Sequence, residues 1–121
     1  PKFLSQLNIQ IIKYICGVFS INTPLSLSSD DKLEGAKEVL LANICEKNEA
    51  NHYISPPGSK GYLENSSVFE ERGIALSYHE YHHPIYNQLH GEFLPYMCIL
   101  DLLFNEGADG INLIRSGLEK K

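Results

Sequence analysis

A short run of polar residues after a β-prone segment has the composition of a small ligand-binding loop. The run contains Ser55, Gly58, Ser59, Lys60, Gly61 and Tyr62. Lys60 would supply a positive charge, and backbone N–H groups near the two glycines would complement an anion. Hydroxyl groups beside a lysine suit an anionic or sugar-like ligand, and we predict that Lys60 is also catalytic. The alternative is a solvated turn that binds no ligand.

The loop is expected to follow the carboxyl end of a β-strand. The strand is predicted over residues 52–55, and Pro56 and Pro57 then remove two backbone donors and end it. Gly58 and Gly61 allow the positive φ angles of a tight turn. Open α/β sheets bind ligands at the carboxyl ends of their strands, so this position favours a binding role for the loop.

Two consecutive serines, Ser28 and Ser29, are expected between an earlier strand and a long helix. The pattern predicts the strand over residues 24–28 and the helix over residues 31–48. In a parallel sheet this junction would lie beside the loop, and free N–H groups at the helix N-terminus would attract an anionic ligand. We therefore predict that both serines bind ligand, with simple N-capping as the alternative.

The second half of the chain contributes three more polar residues. Tyr86 and Gln88 belong to a group of aromatic and polar residues that would line a pocket for a sugar or a base, or else pack a loop onto the sheet. Asp101 lies in an apolar helical pattern, so it either faces solvent or is held by a partner. We predict that Asp101 orients the ligand or acts as an acid or base.

The histidine-rich run over residues 79–83 matches H-E-x-x-H, the zinc-binding pattern of metalloproteases. That chemistry needs both histidines on one helix. Here the run follows a β-prone segment directly, and Pro84 biases His83 away from helical geometry. We predict no metal site and favour a polar surface loop, with a looser metal site or a general base as alternatives.

Hydrophobic spacing predicts how helices and strands alternate. Helices are expected near residues 2–16, 31–48, 68–72, 94–105 and 111–118, and strands near 24–28, 52–55 and 74–78, with an irregular segment over 79–92. Strands separated by helices favour an α/β fold with a small three-stranded parallel sheet, flanking helices and a C-terminal helical pair. The length of 121 residues predicts a single α/β domain, built like one half of a Rossmann fold.

Composition excludes several functional classes. The net charge is −5 and no stretch is rich in lysine or arginine, so no nucleic-acid partner is expected. No apolar run is long enough to cross a bilayer, and no signal peptide is seen, so no membrane association is expected. The three cysteines lie in apolar contexts and predict reduced core residues of a cytoplasmic protein.

Several stretches, taken in order, resemble the WbqC-like family of bacterial proteins. They are Ser28-Ser29, Tyr53-Ile54-Ser55, Gly58-Ser59-Lys60-Gly61-Tyr62-Leu63, Phe69 with Arg72-Gly73-Ile74, Pro84-Ile85-Tyr86-Asn87-Gln88, Phe93-Leu94-Pro95, the run from Cys98 to Asn105, and Gly107. The resemblance covers nearly the whole chain. The family usually has a small residue, often serine, where this chain has Cys98.

The resemblance implies a role in bacterial surface polysaccharide (O-antigen) biosynthesis. It implies a transferase that acts on an amino sugar or on a nucleotide-linked sugar, and it does not identify a cofactor. Family members are considerably longer, so this chain is expected to be the C-terminal half of a longer protein. A missing half would leave apolar surface that a partner or a second copy covers. The alternative function is therefore a non-catalytic binding or assembly module, with a homodimer as one form.

Overall fold

The computed structural model describes residues 1–118, and residues 119–121 lie outside the described part. The chain divides into two compact units. Leu25–Glu80 form the first, called the sheet unit below; Pro1–Pro24 together with Tyr81–Lys121 form the second, called the helical unit. The organisation of the whole chain as one α/β domain stays a prediction.

The described residues form short helices and two short strands. In chain order the helices are α1 (Leu4–Val18), α2 (Ser28–Asp31), α3 (Lys37–Lys47), α4 (Lys60–Leu63), α5 (Val68–Glu71), α6 (Ile99–Glu106) and α7 (Gly110–Ser116). The strands are β1 (His52–Ser55) and β2 (Ala75–Tyr78), and 3-10 turns over Pro57–Ser59 and Gly107–Asp109 precede α4 and α7. The strands predicted at 52–55 and 74–78 are confirmed, as is the irregular segment over 79–92.

β1 and β2 form a parallel pair in the sheet unit. The register aligns His52 with Ala75 and Ser55 with Tyr78. Parallel strands need a crossover connection, which here contains α4 and α5. The α/β class and the parallel pairing are therefore confirmed. The sheet of the described residues has two strands, so it is smaller than the sheet predicted for half of a Rossmann fold.

The third strand predicted over residues 24–28 is not formed. Residues 21–27 are irregular, and Ser28 already begins α2. Leu25 and Leu27 alternate with serines as a strand would require, but both side chains are exposed. Alternation favours a strand only when one face packs on a core, and Pro24 also lacks the N–H that a sheet ladder uses.

The helix predicted over residues 31–48 is interrupted. α2 ends after one turn at Lys32, which is in the left-handed conformation, and α3 begins only at Lys37. Gly35 lies in the interruption with φ of +101°, and a Cβ there would lie 3.0 Å from Cγ1 of Val39. The positive φ and the close packing together explain why glycine stands at this break.

The core of the sheet unit lies between the sheet and its helices. Its buried members are Ala42, Cys45, Leu63, Phe69 and Ile74. Tyr53 of β1 stacks on Phe69, with ring centroids 5.2 Å apart and planes within 6° of parallel. Burial of a side chain as large as Phe69 contributes roughly 1.5–3 kcal/mol. The crossover helices are therefore held to the sheet mainly by apolar burial.

The cysteines differ in exposure. Cys45 is buried, and its burial, with a smaller contribution from Glu46, raises the pKa of its thiol, which stays protonated at neutral pH. Cys16 is half-buried, whereas Cys98 is exposed. The expectation that all three are core residues is therefore wrong for Cys98, because the residue precedes α6 rather than lying within it.

In the helical unit the helix predicted over 94–105 begins later, at Ile99. The preceding residues include Tyr96, which has φ of +62° and cannot continue a right-handed helix. The start of α7 packs closely on α6, since a Cβ on Gly110 would lie 3.1 Å from Leu102 and 3.5 Å from Phe19. Among the described residues, no helix has both the length and the apolar character needed to cross a membrane.

Candidate functional site

The carboxyl end of the parallel pair gathers the loop predicted from the sequence. Ser55 ends β1, and its carbonyl accepts a 2.8 Å hydrogen bond from the N–H of His79, which follows β2. After Ser55 the chain enters the 3-10 turn and then α4, which begins at Lys60. Ser55, Lys60 and Tyr78 are called the strand-end site below. The predicted position of the loop after a strand is confirmed.

The two glycines of this loop have a different conformation from the one expected. Gly58 lies in the 3-10 turn and Gly61 in α4, and neither is among the residues with positive φ. Pro57 is compatible with the first position of a right-handed turn, so the loop coils into a helix. A Cβ on either glycine would meet nothing within 4 Å. The backbone there is open to an approaching ligand, although positive φ is not the reason for glycine.

Ser55 is fully buried, and its hydroxyl has no hydrogen-bond partner among the described residues. The hydroxyl of Tyr78 is also buried and likewise has no partner there. The register aligns the two residues, so their side chains lie side by side on the same face of the sheet. Buried polar atoms in native proteins are nearly always paired, so two adjacent exceptions need an explanation.

Lys60 is held over the same end of the sheet. Its Nζ atom lies 3.2 Å from the carboxylate of Glu64 and 5.8 Å from the centre of the Tyr78 ring. The side chains of Lys60 and Glu64 are both at least half exposed to solvent. The ion pair therefore contributes little to stability, on the order of 0.3–0.5 kcal/mol. An anionic ligand that replaces Glu64 as the ion-pair partner of Lys60 would therefore lose little stabilising energy.

Tyr62 lies in α4 and is exposed. It lines a separate cavity of about 480 Å³ with Lys37 and Glu38 from the start of α3. Ser59 ends the 3-10 turn and is half-buried. Ligand contacts of these residues stay predictions.

The serines at the start of α2 do not have the surroundings predicted for them. Ser28 and Ser29 are exposed, follow an irregular segment and open a helix of four residues. Ser29 lies 3.4 Å from Asp30 through its hydroxyl. A long helix with its dipole behind the serines is therefore absent at this point, because the chain turns at Lys32. Their role as ligand-binding residues stays a prediction.

A hydrogen-bonded cluster in the helical unit joins the other predicted site residues. It consists of Tyr86, Gln88, Asp101 and Asn105 and is called the loop clamp below. Tyr86 donates to Oδ2 of Asp101 at 2.7 Å, and the amide of Gln88 donates to the same oxygen at 3.0 Å. The side chain of Asn105 donates to the backbone carbonyl of Asp101 at 2.8 Å. Asp101 is thus held by partners, as one of the two sequence interpretations required.

The remaining contacts of the loop clamp fix the backbone of residues 86–94. Gln88 accepts from the N–H of Leu94 at 2.8 Å and donates to the carbonyl of Leu94 at 3.0 Å. Asn105 accepts from the N–H of Leu89 at 3.0 Å. Burial, the bond to Asp101 and the negative charge of Asp101 raise the pKa of Tyr86, so its phenol stays a donor. The cluster anchors a loop on α6, and a catalytic role of Asp101 stays a prediction.

The histidine-rich run is irregular rather than helical, so H-E-x-x-H does not have zinc-binding geometry. Within residues 1–118 no group of three or more His, Cys, Asp or Glu side chains is placed to hold a metal ion. His83 is used by the loop, since its Nδ1 lies 2.8 Å from the carbonyl of Pro84 and its Nε2 accepts from the N–H of Tyr96 at 3.2 Å. His83 therefore helps to shape the loop.

A family model described as the WbqC-like protein family matches residues 1–113. The chain belongs to this family. It is 38% identical over 113 residues to Rv1507c, an uncharacterized protein of Mycobacterium tuberculosis. The match covers 93% of this chain and 48% of that relative, so the chain spans about half the length of the relative. No solved structure matches the chain.

In this WbqC-like chain the sequence interpretation missed Tyr78 and Glu64. Tyr78 is the last residue of the predicted third strand, so the parallel register could have placed it beside Ser55. Burial first, and then the charge of Glu64, raise the pKa of Tyr78, while Lys60 acts in the opposite direction. The phenol is thus a neutral hydroxyl at neutral pH. Glu64 lies four residues after Lys60, which is the spacing of an ion pair on a helix.

Proposed function

We propose that the strand-end site binds a sugar or a nucleotide-linked sugar, and that this WbqC-like chain has a transferase-type role in bacterial surface polysaccharide (O-antigen) biosynthesis. The observation that carries the proposal is the buried hydroxyl of Ser55, which has no partner among the described residues. An unpaired buried hydroxyl costs roughly 1–3 kcal/mol of stability. A ligand that supplies a hydrogen bond there would remove this cost.

Lys60 supports an anionic group on the ligand. Its side chain is exposed, and its ion-pair partner among the described residues is the carboxylate of Glu64. A Cβ on Gly58 or Gly61, which lie close to Lys60 in the sequence, would meet nothing within 4 Å. A phosphate of a nucleotide-linked sugar has the charge and the acceptor oxygens that suit a lysine. We assign charge stabilisation of the transferring group to Lys60.

The experiment is a thermal-unfolding screen against nucleotide-linked sugars, sugars and nucleotides. A ligand that binds the folded state raises the melting temperature by mass action. We expect a rise with a nucleotide-linked sugar that is lost in Lys60→Ala. Lys47→Ala is the matched control, because Lys47 is an exposed lysine at the end of α3 in the same unit. A rise that persists unchanged in Lys60→Ala, or no rise with any ligand, contradicts the proposal.

A second candidate function is a non-catalytic assembly module that forms a homodimer. α1 contains no buried residue, and Leu4, Leu7, Ile11 and Tyr14 are all exposed. They recur every three and four residues, which is the spacing of a helix-pairing seam. Lys13 is the single charged residue between Leu4 and Val18, so two copies of α1 would meet with little charge repulsion.

Light scattering tests the assembly function. We expect a dimer mass for the unaltered protein and a monomer mass for Ile11→Glu, which places a charge in the seam. Gln10→Glu is the matched control, since it adds the same charge at a neighbouring exposed position outside the seam. A monomer at all protein concentrations would contradict this function and leave the strand-end proposal untouched.

A further inference from the structure

A groove runs beside β2 in the sheet unit. It has a volume of about 500 Å³ and is lined by residues of α4, α5 and β2. Small-molecule sites typically enclose roughly 300–1,000 Å³. Its polar lining consists of Tyr78, Glu64, Glu70 and Ser66, and Phe69 contributes to its apolar lining. Apolar side chains with a few polar groups among them are the usual lining of a small-molecule site.

Tyr78 connects this groove to the strand-end site. It lines the groove and is aligned with Ser55 in the sheet register. Its hydroxyl is buried without a partner among the described residues. A phenylalanine would fill the same volume without burying an unpaired polar atom, so packing alone does not account for tyrosine. The phenol stays neutral at neutral pH because its pKa is raised, and it can both donate and accept.

The charges around the groove indicate which part of a ligand it accepts. The described residues that line it include two glutamates and no lysine or arginine. Carboxylates accept hydrogen bonds from hydroxyl and amine groups and repel phosphate. Lys60 lies at the Glu64 end, 3.2 Å from that carboxylate. The positive charge for a phosphate is therefore available at one end of the groove, and the groove itself suits an uncharged or amine-bearing group.

We propose that the groove beside β2 binds the ring of the sugar, with Tyr78 as a specificity-determining residue, while the phosphates of the ligand remain at Lys60. Tyr78 hydrogen-bonds a ring substituent, and Glu70 accepts from a hydroxyl or amine group. This inference rests on the proposed function, because it assumes that the strand-end site takes a nucleotide-linked sugar. It adds that recognition of the sugar is separable from recognition of the phosphates.

Calorimetric titration with two probes tests this separation. The probes are UDP-N-acetylglucosamine and UDP, which share the diphosphate and differ in the sugar. We expect Tyr78→Phe to weaken binding of the nucleotide sugar about tenfold, the loss of one good hydrogen bond, and to leave UDP binding unchanged. We expect Lys60→Ala to weaken binding of both probes. Glu70→Gln should behave as Tyr78→Phe does, with a smaller effect.

Matched controls separate recognition from folding. Tyr53→Phe makes the same change on the same face of the sheet, and Glu71→Gln changes the neighbouring carboxylate, which lies outside the described groove lining. Both should bind the two probes as the unaltered protein does. Equal nucleotide-sugar affinity in Tyr78→Phe, or an equal loss for UDP, would overturn the inference while the proposed function stands. If neither probe binds the unaltered protein and the thermal screen also finds no sugar or nucleotide-linked sugar that binds, the proposed function fails, and the inference fails with it.

Discussion

The strand-end site and the loop clamp both contain a tyrosine hydroxyl, Tyr78 in the first and Tyr86 in the second, but their polar atoms are used differently. In the loop clamp Tyr86 and Gln88 both donate hydrogen bonds to Asp101, at 2.7 and 3.0 Å. At the strand end the hydroxyls of Ser55 and Tyr78 are buried and have no partner among the described residues. A satisfied cluster stabilises the fold, whereas an unsatisfied pair lowers stability unless something binds.

This difference shows that a polar residue in a candidate site can either stabilise the fold or remain available to a ligand. Asp101, Tyr86 and Gln88 had residue types suited to binding, and their contacts show what they do within the fold: they hold residues 86–94 against α6. Ser55 is less conspicuous in the sequence, yet its hydroxyl contacts no hydrogen-bond partner in the described part of the chain. Unused hydrogen-bonding capacity in a buried position is therefore the stronger indication of a ligand in this chain.

The largest effect is expected from Asp101→Ala. The change leaves the Tyr86 hydroxyl without its acceptor, removes an acceptor from Gln88 and loses hydrogen bonds to a charged group. We expect a loss of about 3 kcal/mol in the free energy of unfolding, measured by urea denaturation. Asp109→Ala is the control, because Asp109 is exposed and should stay within about 0.5 kcal/mol. A loss no larger than that of the control would mean that the loop clamp is not structural.

The same substitution in the two regions sharpens the comparison. Tyr86→Phe removes a donor to a carboxylate and should cost about 1.5 kcal/mol of stability. Tyr78→Phe removes a hydroxyl that has no partner among the described residues, so it should cause no loss of stability. Urea denaturation of both variants is the measurement. Equal losses would show that the Tyr78 hydroxyl has a stabilising contact after all.

The strands that could be predicted from the sequence are those whose signals are local. The residues of β1 and β2 are β-prone runs bounded by proline or glycine, so their existence and the loop after β1 could be predicted from local sequence. Leu25 and Leu27 alternate as convincingly, but a strand also needs a neighbour and a core, which local sequence does not contain. Tertiary contacts, rather than local sequence, therefore determine whether residues 24–28 form a strand.

For the site residues, too, local sequence indicated some properties and tertiary structure was needed for others. The apolar surroundings of Asp101 in the sequence indicated that it needs a partner, but they could not reveal that Tyr86, 15 residues away, is the partner. Tyr78 could have been placed beside Ser55 from the parallel register alone. That neither hydroxyl has a partner within residues 1–118 depends on the positions of side chains from several elements, which a local sequence pattern does not contain.

Ser55→Ala tests whether the buried hydroxyl destabilises the free protein. We expect a gain of about 1 kcal/mol in the free energy of unfolding without ligand, because an unpaired buried polar atom is removed. Ser77→Ala is the matched control on β2, where the serine hydroxyl bonds His52 at 2.7 Å, and its removal should lower stability slightly. If Ser55→Ala were as destabilising as Ser77→Ala, the hydroxyl of Ser55 would have a partner, and the contrast with the loop clamp would disappear.

The smallest effect is expected from alkaline pH. The pKa of Tyr86 is raised in the folded state by burial and by Asp101, so folding favours the protonated phenol. Its contribution to stability is complete below the ordinary phenol pKa of about 10 and is lost as the pH rises through the raised value. The stability gap between the unaltered protein and Tyr86→Phe should therefore narrow above pH of about 10.

Urea denaturation across the alkaline range measures this gap, and Tyr14→Phe on the exposed part of α1 serves as the control. Tyr78 also has a raised pKa, mainly through burial, but its phenol lacks a described partner. Tyr78→Phe should thus flatten the alkaline fall in stability and be at least as stable as the unaltered protein at neutral pH, whereas Tyr86→Phe starts lower and converges with it. A gap to Tyr86→Phe that stays constant with pH would show that its phenol does not stabilise the loop clamp as a proton donor.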